Sequence, residues 1–372
     1  MSAQEQREPS ASSRASIECR ALNFSEVPWD ELDQFADRTV FQSREWIEFV
    51  SETQNASPVV AGLHDGRDLV GFFTGLIFAR FGIKILAGSF PGWTTPYMGF
   101  NLKPGVSRAA ALAAVEEMAW NDLKCLHMEV SDPYFAMEDG ESLGFDCEFF
   151  HSYRTDLRKS EEELFSGMDS ACRRCIRKAE KIGVAIEEAN DDSFAEEYYA
   201  QLQDVFAKQN LTPTYDLQRV RSLIRHLRPT GRVLLLRARD PQGKCIATGI
   251  FPGYKRIAEF WGNASWRDSQ SFRPNEAIHW YAMRYWKKRG AEIYDWGGEG
   301  RYKEKYGCVA YSVPWFVKSR YKMISRLRQE ARKMFTRKQQ LAGWLQQQRR
   351  SLAGLQSGKS SETNESADLK EH

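Results

Sequence analysis

The chain has no apolar run long enough to cross a bilayer. Its richest stretch, Leu69 to Gly88, is interrupted by Arg80 and Lys84 well before the ~20 apolar residues a span needs, and it reads as buried strands. The first residues, MSAQEQREPSASSRAS, lack the apolar core of a secretory signal, so a cytoplasmic location is expected. Cysteines are sparse and scattered (19, 125, 147, 172, 175, 245, 308), and their odd number argues against a disulfide framework and for a reducing compartment. Cys172 and Cys175 form a Cys-Arg-Arg-Cys pair, but no second pair or histidine cluster completes a zinc site, and no strand leads into it as a redox motif requires. No metal is expected. The net charge is only +2, so the molecule as a whole is no polycation.

What charge there is lies unevenly. Between Lys318 and Arg350 stand eleven Lys or Arg against the single Glu330, a local +10 that leaves −8 for the remainder. The same arm carries Met323, Leu327, Met334, Phe335, Leu341, Trp344 and Leu345 as one apolar stripe at helical spacing. Such a basic amphipathic helix suits an anionic membrane surface, where a lipid-linked glycan precursor would be met. It also suits an RNA backbone, or packing onto the domain with the charges solvated. With 42% apolar residues the rest of the chain is well able to fold, and its length allows two domains.

One order of elements occurs twice. In the first half, VPWDELDQF and SREWIEFV read as helices, PVVAGLH and DLVGFFTGLIFA as strands around Asp65-Gly66, and FGIKILAG as a third strand. A helix from Ser107 to Leu123 and a closing strand LKCLHMEV follow. In the second half, SFAEEYYAQLQDVFAKQ and YDLQRVRSLIRHL read as helices, GRVLLLRARD and CIATGIF as strands, and RIAEFWG as the third strand. A helix from about Asn275 to Arg289 and the strand AEIYDW complete it. Between the halves lie the alternating segment GFDCEFFHSYRTDLRKS, a capping box at Ser160 and Glu163, and a basic helix stopped by Gly183. The expected fold is α/β (mixed α+β): two tandem units, each a mixed sheet flanked by helices.

The segments RKAEKIGV (Arg177 to Val184), RPNEAIHWYAMRYWKKRG (Arg273 to Gly290), IYDWGGEG (Ile293 to Gly300) and YKEKYG (Tyr302 to Gly307) resemble motifs of the tandem GNAT-type acyltransferases. That group includes the Fem-type peptidyltransferases of peptidoglycan cross-bridges and acetyltransferase domains of polysaccharide biosynthesis. The resemblance implies two GNAT-like units and acyl transfer. It departs from the acyl-CoA users of the fold at SQSFRPNEAIHW, where their glycine-rich pyrophosphate loop is replaced by a segment without glycine. In this the chain is similar to the Fem-type enzymes, which take their acyl group from aminoacyl-tRNA. Those enzymes usually insert a long helical hairpin in the second unit, and the twenty or so residues between Gln209 and Arg232 are too few for one.

Acyl transfer to an amine needs a base, a donor for the developing oxyanion, and a geometry that holds both reactants. Asp295 ends an apolar strand, and Gly297, Gly298 and Gly300 let a substrate approach the backbone. Lys303 and Lys305 follow, and one of them is expected to polarise the donor carbonyl while Asp295 orients or deprotonates the acceptor. An Asp before Gly-Gly also commonly accepts N–H bonds within its own turn. Glu259 is the rival base: between Ile257 and Trp261 on one strand face, desolvation would raise its pKa. His279 reads as a packed helical bystander or a base ranked below Asp295. The resembling motifs add expected substrate contacts at Arg177, Lys178, Arg273, Asn275, Gly297, Gly298, Tyr302 and Tyr306.

The expected organisation is a disordered N-terminus (1–18), a first unit (19–148), a second and catalytic unit (149–318), a basic amphipathic helix (319–350) and a disordered tail (351–372). The expected activity is transfer of an acyl group, with acyl-CoA as co-substrate, to an amine or hydroxyl of a cell-envelope glycan or peptide precursor. That acceptor would be a small-molecule or lipid-linked anionic glycan, reached from the cytoplasm and the inner face of the membrane. Aminoacyl transfer from charged tRNA is the alternative reaction, and a non-catalytic glycan- or partner-binding protein is the alternative of another class.

Overall fold

A computed structural model describes residues 17–90, 92–207 and 211–330. The disordered ends expected at 1–18 and 351–372, save residues 17 and 18, and the arm beyond residue 330 lie outside the described residues.

The first half forms β1 (Glu18–Ala21), α1 (Trp29–Leu32), α2 (Arg44–Gln54), β2 (Ser57–Asp65), β3 (Asp68–Arg80), β4 (Ile83–Ala87), β5 (Gly99–Leu102), α3 (Arg108–Asn121), β6 (His127–Ser131) and α4 (Met137–Glu141). Next come β7 (Asp146–Asp156), α5 (Glu161–Gly167) and α6 (Ser170–Lys181). The second half forms β8 (Ala185–Glu188), α7 (Phe194–Ala207), α8 (Leu217–Leu227), β9 (Val233–Arg239), β10 (Cys245–Tyr254), β11 (Ile257–Glu259), β12 (Gly262–Ser265), α9 (Pro274–Lys288), β13 (Ile293–Asp295) and β14 (Val309–Ser319). Residues 322–330 are helical.

Local chemistry explains the punctuation. Ser107 accepts the Ala110 N–H at the start of α3, and Ser160 and Glu163 exchange hydrogen bonds as a capping box on α5. Gly183, at φ +81°, turns the chain out of α6.

All of these strands join one sheet. Its order is β1-β2-β3-β4-β6-β14-β7-β13-β11-β10-β9-β8, with β5 on β3 and β12 on β10. The two ends mirror one another. β4 runs parallel to β6 and β11 parallel to β13, and every other pairing is antiparallel. The centre is exchanged: β14, the last strand of the second half, pairs with β6 of the first, while β7, which follows the first half, pairs with β13 of the second. Each half is thus completed by the other's strand, and the expected boundary between residues 148 and 149 falls inside β7.

Helices α2, α7 and α8 cover one face across both halves, around Trp46, Phe49, Tyr198, Val220 and Leu223. On the other face, α3 covers the first half, and α5, α6 and α9 the second. One expectation is corrected. RIAEFWG is not an unbroken strand; β11 stops at Glu259, the chain leaves the ladder at Phe260 and Trp261, and β12 resumes on β10.

Candidate active site

Register places three ionisable side chains in a row. β11 and β13 pair Glu259 with Asp295, and β13 and β7 pair Asp295 with Arg154. Directly paired residues share a sheet face, so all three point the same way, into the core common to both halves.

Asp295 is buried and fully engaged. It accepts from Ser152 Oγ (2.8 Å), Arg154 Nε (3.3 Å), the Tyr311 hydroxyl and the Gly297 N–H (3.0 Å). The Arg154 guanidinium lies 3.7 Å from the centre of the Tyr311 ring. The Asx turn that the sequence allowed is therefore present, together with a charged and hydroxylic shell that it did not reveal.

Glu259 is 2% exposed and accepts from the Tyr97 hydroxyl at 2.7 Å. Burial pushes its carboxyl well above the usual carboxylate range, and the neighbouring Asp295 adds to the rise, while the Tyr97 bond and Arg154 only partly offset it. Glu259 thus sits in a desolvated position that favours its protonated form, beside Asp295, whose side chain is held by Arg154. A buried carboxyl of raised pKa in a cleft is a candidate for handling a proton.

Glu259 also lines a cleft of about 410 Å³. Gly92, Thr94, Thr95 and Pro96, with Ser89 and Phe90, form its first-half wall; Phe260, Trp261, Gly297 and Gly298 form the second-half wall; Phe150 and Trp315 come from the exchanged strands. The indole of Trp261 donates to Thr94 Oγ1 (3.0 Å), and Arg219 donates to the carbonyls of Gly92 (2.8 Å) and Trp93, so the second half pins the first-half wall. Among the lining residues Glu259 alone is ionisable. Trp315 Nε1 is buried without a hydrogen-bond partner among the described residues.

The cleft opens where two strands part. Phe260 N–H donates to the Asp295 carbonyl at 2.8 Å; beyond that bond β12 follows β10 while the chain after Asp295 turns away. Gly297 and Gly298 take φ of +54° and +64°, and a Cβ on Gly297 would stand 3.0 Å from the Phe260 carbonyl oxygen. The glycines are needed for the turn itself.

Lys303 lies in the 3₁₀ turn Arg301–Tyr306 and is turned inward. Its ammonium donates to the carbonyls of Trp296 (2.9 Å), Gly297 and Gly298 (2.9 Å), which uses all three of its protons. Burial lowers its pKa to about 8 against the opposing pull of Asp295. Lys305 reaches Glu276 in the first turn of α9 at 2.7 Å. Neither ammonium lines the cleft. Lys303→Ala is expected to lower the unfolding free energy by about 3 kcal/mol, since three carbonyls lose a charged donor, and Lys305→Ala by under about 1 kcal/mol. Equal losses in urea titrations would show that Lys303 does not brace the loop.

The remaining sequence candidates fall elsewhere. His279 is packed among Phe260, Trp296 and Tyr306 and touches the Tyr294 hydroxyl at 3.1 Å; burial first, then Lys305 and Lys303, lower its pKa to about 3. Tyr306 is buried and stacks on Trp296 at 4.4 Å, whereas Tyr302 is exposed. Arg177 and Lys178 are exposed on α6, which packs on α9 against the opposite sheet face. Arg273 is exposed at the N-terminus of α9 in the left-handed conformation that favours glycine, at φ +59°. No side chain caps that terminus. Asn275 donates to Ser265 Oγ (3.2 Å), and its Oδ1 is buried without a partner among the described residues.

The residues that sequence reasoning missed are Tyr97, Ser152, Arg154, Tyr311 and Trp315. A signal existed for two of them, because the alternation of GFDCEFFHSYRTDLRKS puts Ser152 and Arg154 on one face. Among the described residues, no group of three His, Cys, Asp or Glu side chains is placed to hold a metal, and no helix is long and apolar enough to cross a membrane.

Residues 167–306 match a family model described as an acetyltransferase (GNAT) domain. No curated protein matches the sequence. Among solved structures, the crystal structure of FemX aligns with a TM-score of 0.69 at 13% identity, over 83% of this chain and 99% of that one. A conserved protein of unknown function from Bacteroides thetaiotaomicron VPI-5482 aligns with a TM-score of 0.54 at 12% identity, over 82% and 100%. At these identities the likeness is one of fold.

Proposed function

We propose that this chain, which carries a match to a GNAT acetyltransferase domain at 167–306 within a fold like that of FemX, is an acyltransferase that transfers an acyl group to an amine or hydroxyl acceptor held in the cleft at Glu259. The observation that carries this reading is Glu259 itself: a buried carboxyl of raised pKa, lining an otherwise uncharged cleft where the strands part. In the reaction the acceptor nitrogen attacks the acyl carbonyl carbon, the new N–C bond forms, the bond to the donor's leaving group breaks, and the amine proton passes to Glu259. A carboxyl of raised pKa suits that proton better than an ordinary one. Asp295, Arg154 and Tyr311 hold the row rigid from behind, and Lys303 holds the glycine turn.

Acyl-CoA is the donor this reading takes. Arg273, the uncapped N–H groups at the start of α9 and the unpartnered Oδ1 of Asn275 offer a cation, donors and an acceptor to such a molecule. A cell-envelope glycan or peptide precursor is the acceptor class, supported by aromatic rings in the cleft on which a sugar face can stack. Against the tRNA-dependent alternative stands the short passage from α7 to β9, where the described residues hold only α8 and the 3₁₀ turn Arg228–Thr230.

Thermal-shift titration with acetyl-CoA and CoA, beside uncharged tRNA at matched ionic strength, tests the donor. Ligand at a hundredfold over its Kd should add about 2.7 kcal/mol of stability. Stabilisation by CoA is expected. Silence toward CoA with a salt-sensitive response to tRNA would favour aminoacyl transfer, and silence toward both would favour a binding protein.

A further inference from the structure

The large apolar side chains exposed on the molecule are not evenly spread. Phe81, 88% exposed, caps the β3–β4 hairpin, while Tyr321, Met323 and Leu327 are exposed where the chain leaves β14. Register brings these segments together. Leu126 N–H donates to the Lys84 carbonyl and Arg320 N–H to the Leu126 carbonyl, so the hairpin and residue 320 lie at the same end of adjoining strands. The β2–β3 ladder begins at Ser57 and Ile77, and Lys84 still bonds to the chain entering β6, so the tip from Arg80 to Ile83 projects beyond both neighbours.

The tip has an unusual sequence. Phe81 and Gly82 both have positive φ, +52° and +76°, a turn that favours Asn-Gly and disfavours a bulky residue in the first place. A phenylalanine held there at conformational cost is almost wholly in solvent, with the Arg80 guanidinium 5.6 Å from its ring centre. Around the apolar residues stand exposed Arg80, Lys84, Lys124, Lys322 and Arg326, with Asp122 as a nearby acid. Aromatic and aliphatic side chains set among cations at one end of a sheet match the interface of an anionic bilayer.

We propose that this end of the sheet, Phe81 with Tyr321, Met323 and Leu327, docks on an anionic lipid bilayer. The helical segment 322–330 then folds back over the sheet, with Ile324 buried and Arg328 donating to Glu129 (2.8 Å) and Glu148 (2.9 Å). Glu148 is the register partner of Trp315, which lines the cleft, so the segment leads from the bilayer toward the cleft's edge. β4 makes the same journey from the hairpin tip: Ile83 to Ser89 is a path of roughly 20 Å at the rise of a strand. Docked in this way the cleft stands above the surface, at a height suited to the far end of a lipid-linked head group. What the cleft does there rests on the acyl-transfer reading; the docking itself does not.

Co-sedimentation of the full chain with vesicles of phosphatidylcholine, and of an equimolar mixture with phosphatidylglycerol, tests the proposal. Binding to the mixed vesicles is expected, with little to the neutral ones. Phe81→Asn is the informative variant, because it suits the turn and should leave the melting temperature unchanged or raised while weakening vesicle binding about tenfold or more. Met323→Ser combined with Leu327→Ser should weaken it similarly. Failure of the wild-type chain to bind mixed vesicles overturns the proposal, as does undiminished binding by both variants, which would assign the attraction to charge elsewhere in the chain. The CoA titration is independent of these outcomes, so either reading can fail while the other stands.

Discussion

Glu259→Gln is expected to lower kcat/KM by about 10²- to 10⁴-fold, the range that a positioned proton acceptor contributes. Glutamine keeps the acceptor for the Tyr97 hydroxyl and nearly the same volume, so the loss would be chemical and not one of packing. On the acyl-transfer reading, the base form of Glu259 appears in the wild-type protein only as pH climbs through its raised pKa, and kcat/KM should rise on that limb; in the variant the limb should vanish. Stability should move the other way. Folding raises this carboxyl's pKa, so its contribution is complete below the ordinary carboxylate value and is lost as pH rises through the raised one. The variant has no proton to lose. Its melting temperature should therefore exceed that of the wild type at alkaline pH, and the two should converge in acid. A variant with full activity and an unchanged pH profile would reduce Glu259 to a packed carboxyl.

Arg154→Met should cost about 3–5 kcal/mol, because it strips the charged partner from a buried carboxylate. Asp295 would keep Ser152, Tyr311 and the Gly297 N–H, which are donors without charge. Adding Asp295→Asn to the Arg154→Met variant should recover most of that loss, since the unpaired charge is then gone. Urea unfolding of the two single variants and the double variant closes the cycle. A double variant no more stable than Arg154→Met would mean that the two side chains are not coupled.

Much of the fold could be read from the chain because its signals are local. The capping box at Ser160, the stop at Gly183, Pro274 opening α9 and the Asp65-Gly66 hairpin each lie within a few residues of what they control. β14 escaped notice because VAYSVPWFVKS carries a proline in its middle and is filled on both faces, so no alternation of apolar and polar residues marks it. The site was legible in part. Glu259 and Asp295 stood out as acids ending apolar strands, but Tyr97 lies 162 residues from Glu259, and no local pattern joins them. The direction of Lys303 was equally hidden: spacing puts a lysine near the glycine turn but does not say whether its ammonium faces inward or outward.

The exchange of β7 and β14 sets a schedule for synthesis. When residues 17–131 have left the ribosome, β6 still presents a bare edge, and its neighbour β14 begins only at Val309. At about 5–20 residues per second that edge waits roughly 10 to 35 s for its partner. A strand edge with unpaired N–H and C=O groups is an invitation to pair with the wrong chain, so the nascent first half is the stage at which this protein is most exposed to aggregation and most in need of a chaperone. A first half expressed alone would remain at that stage for good.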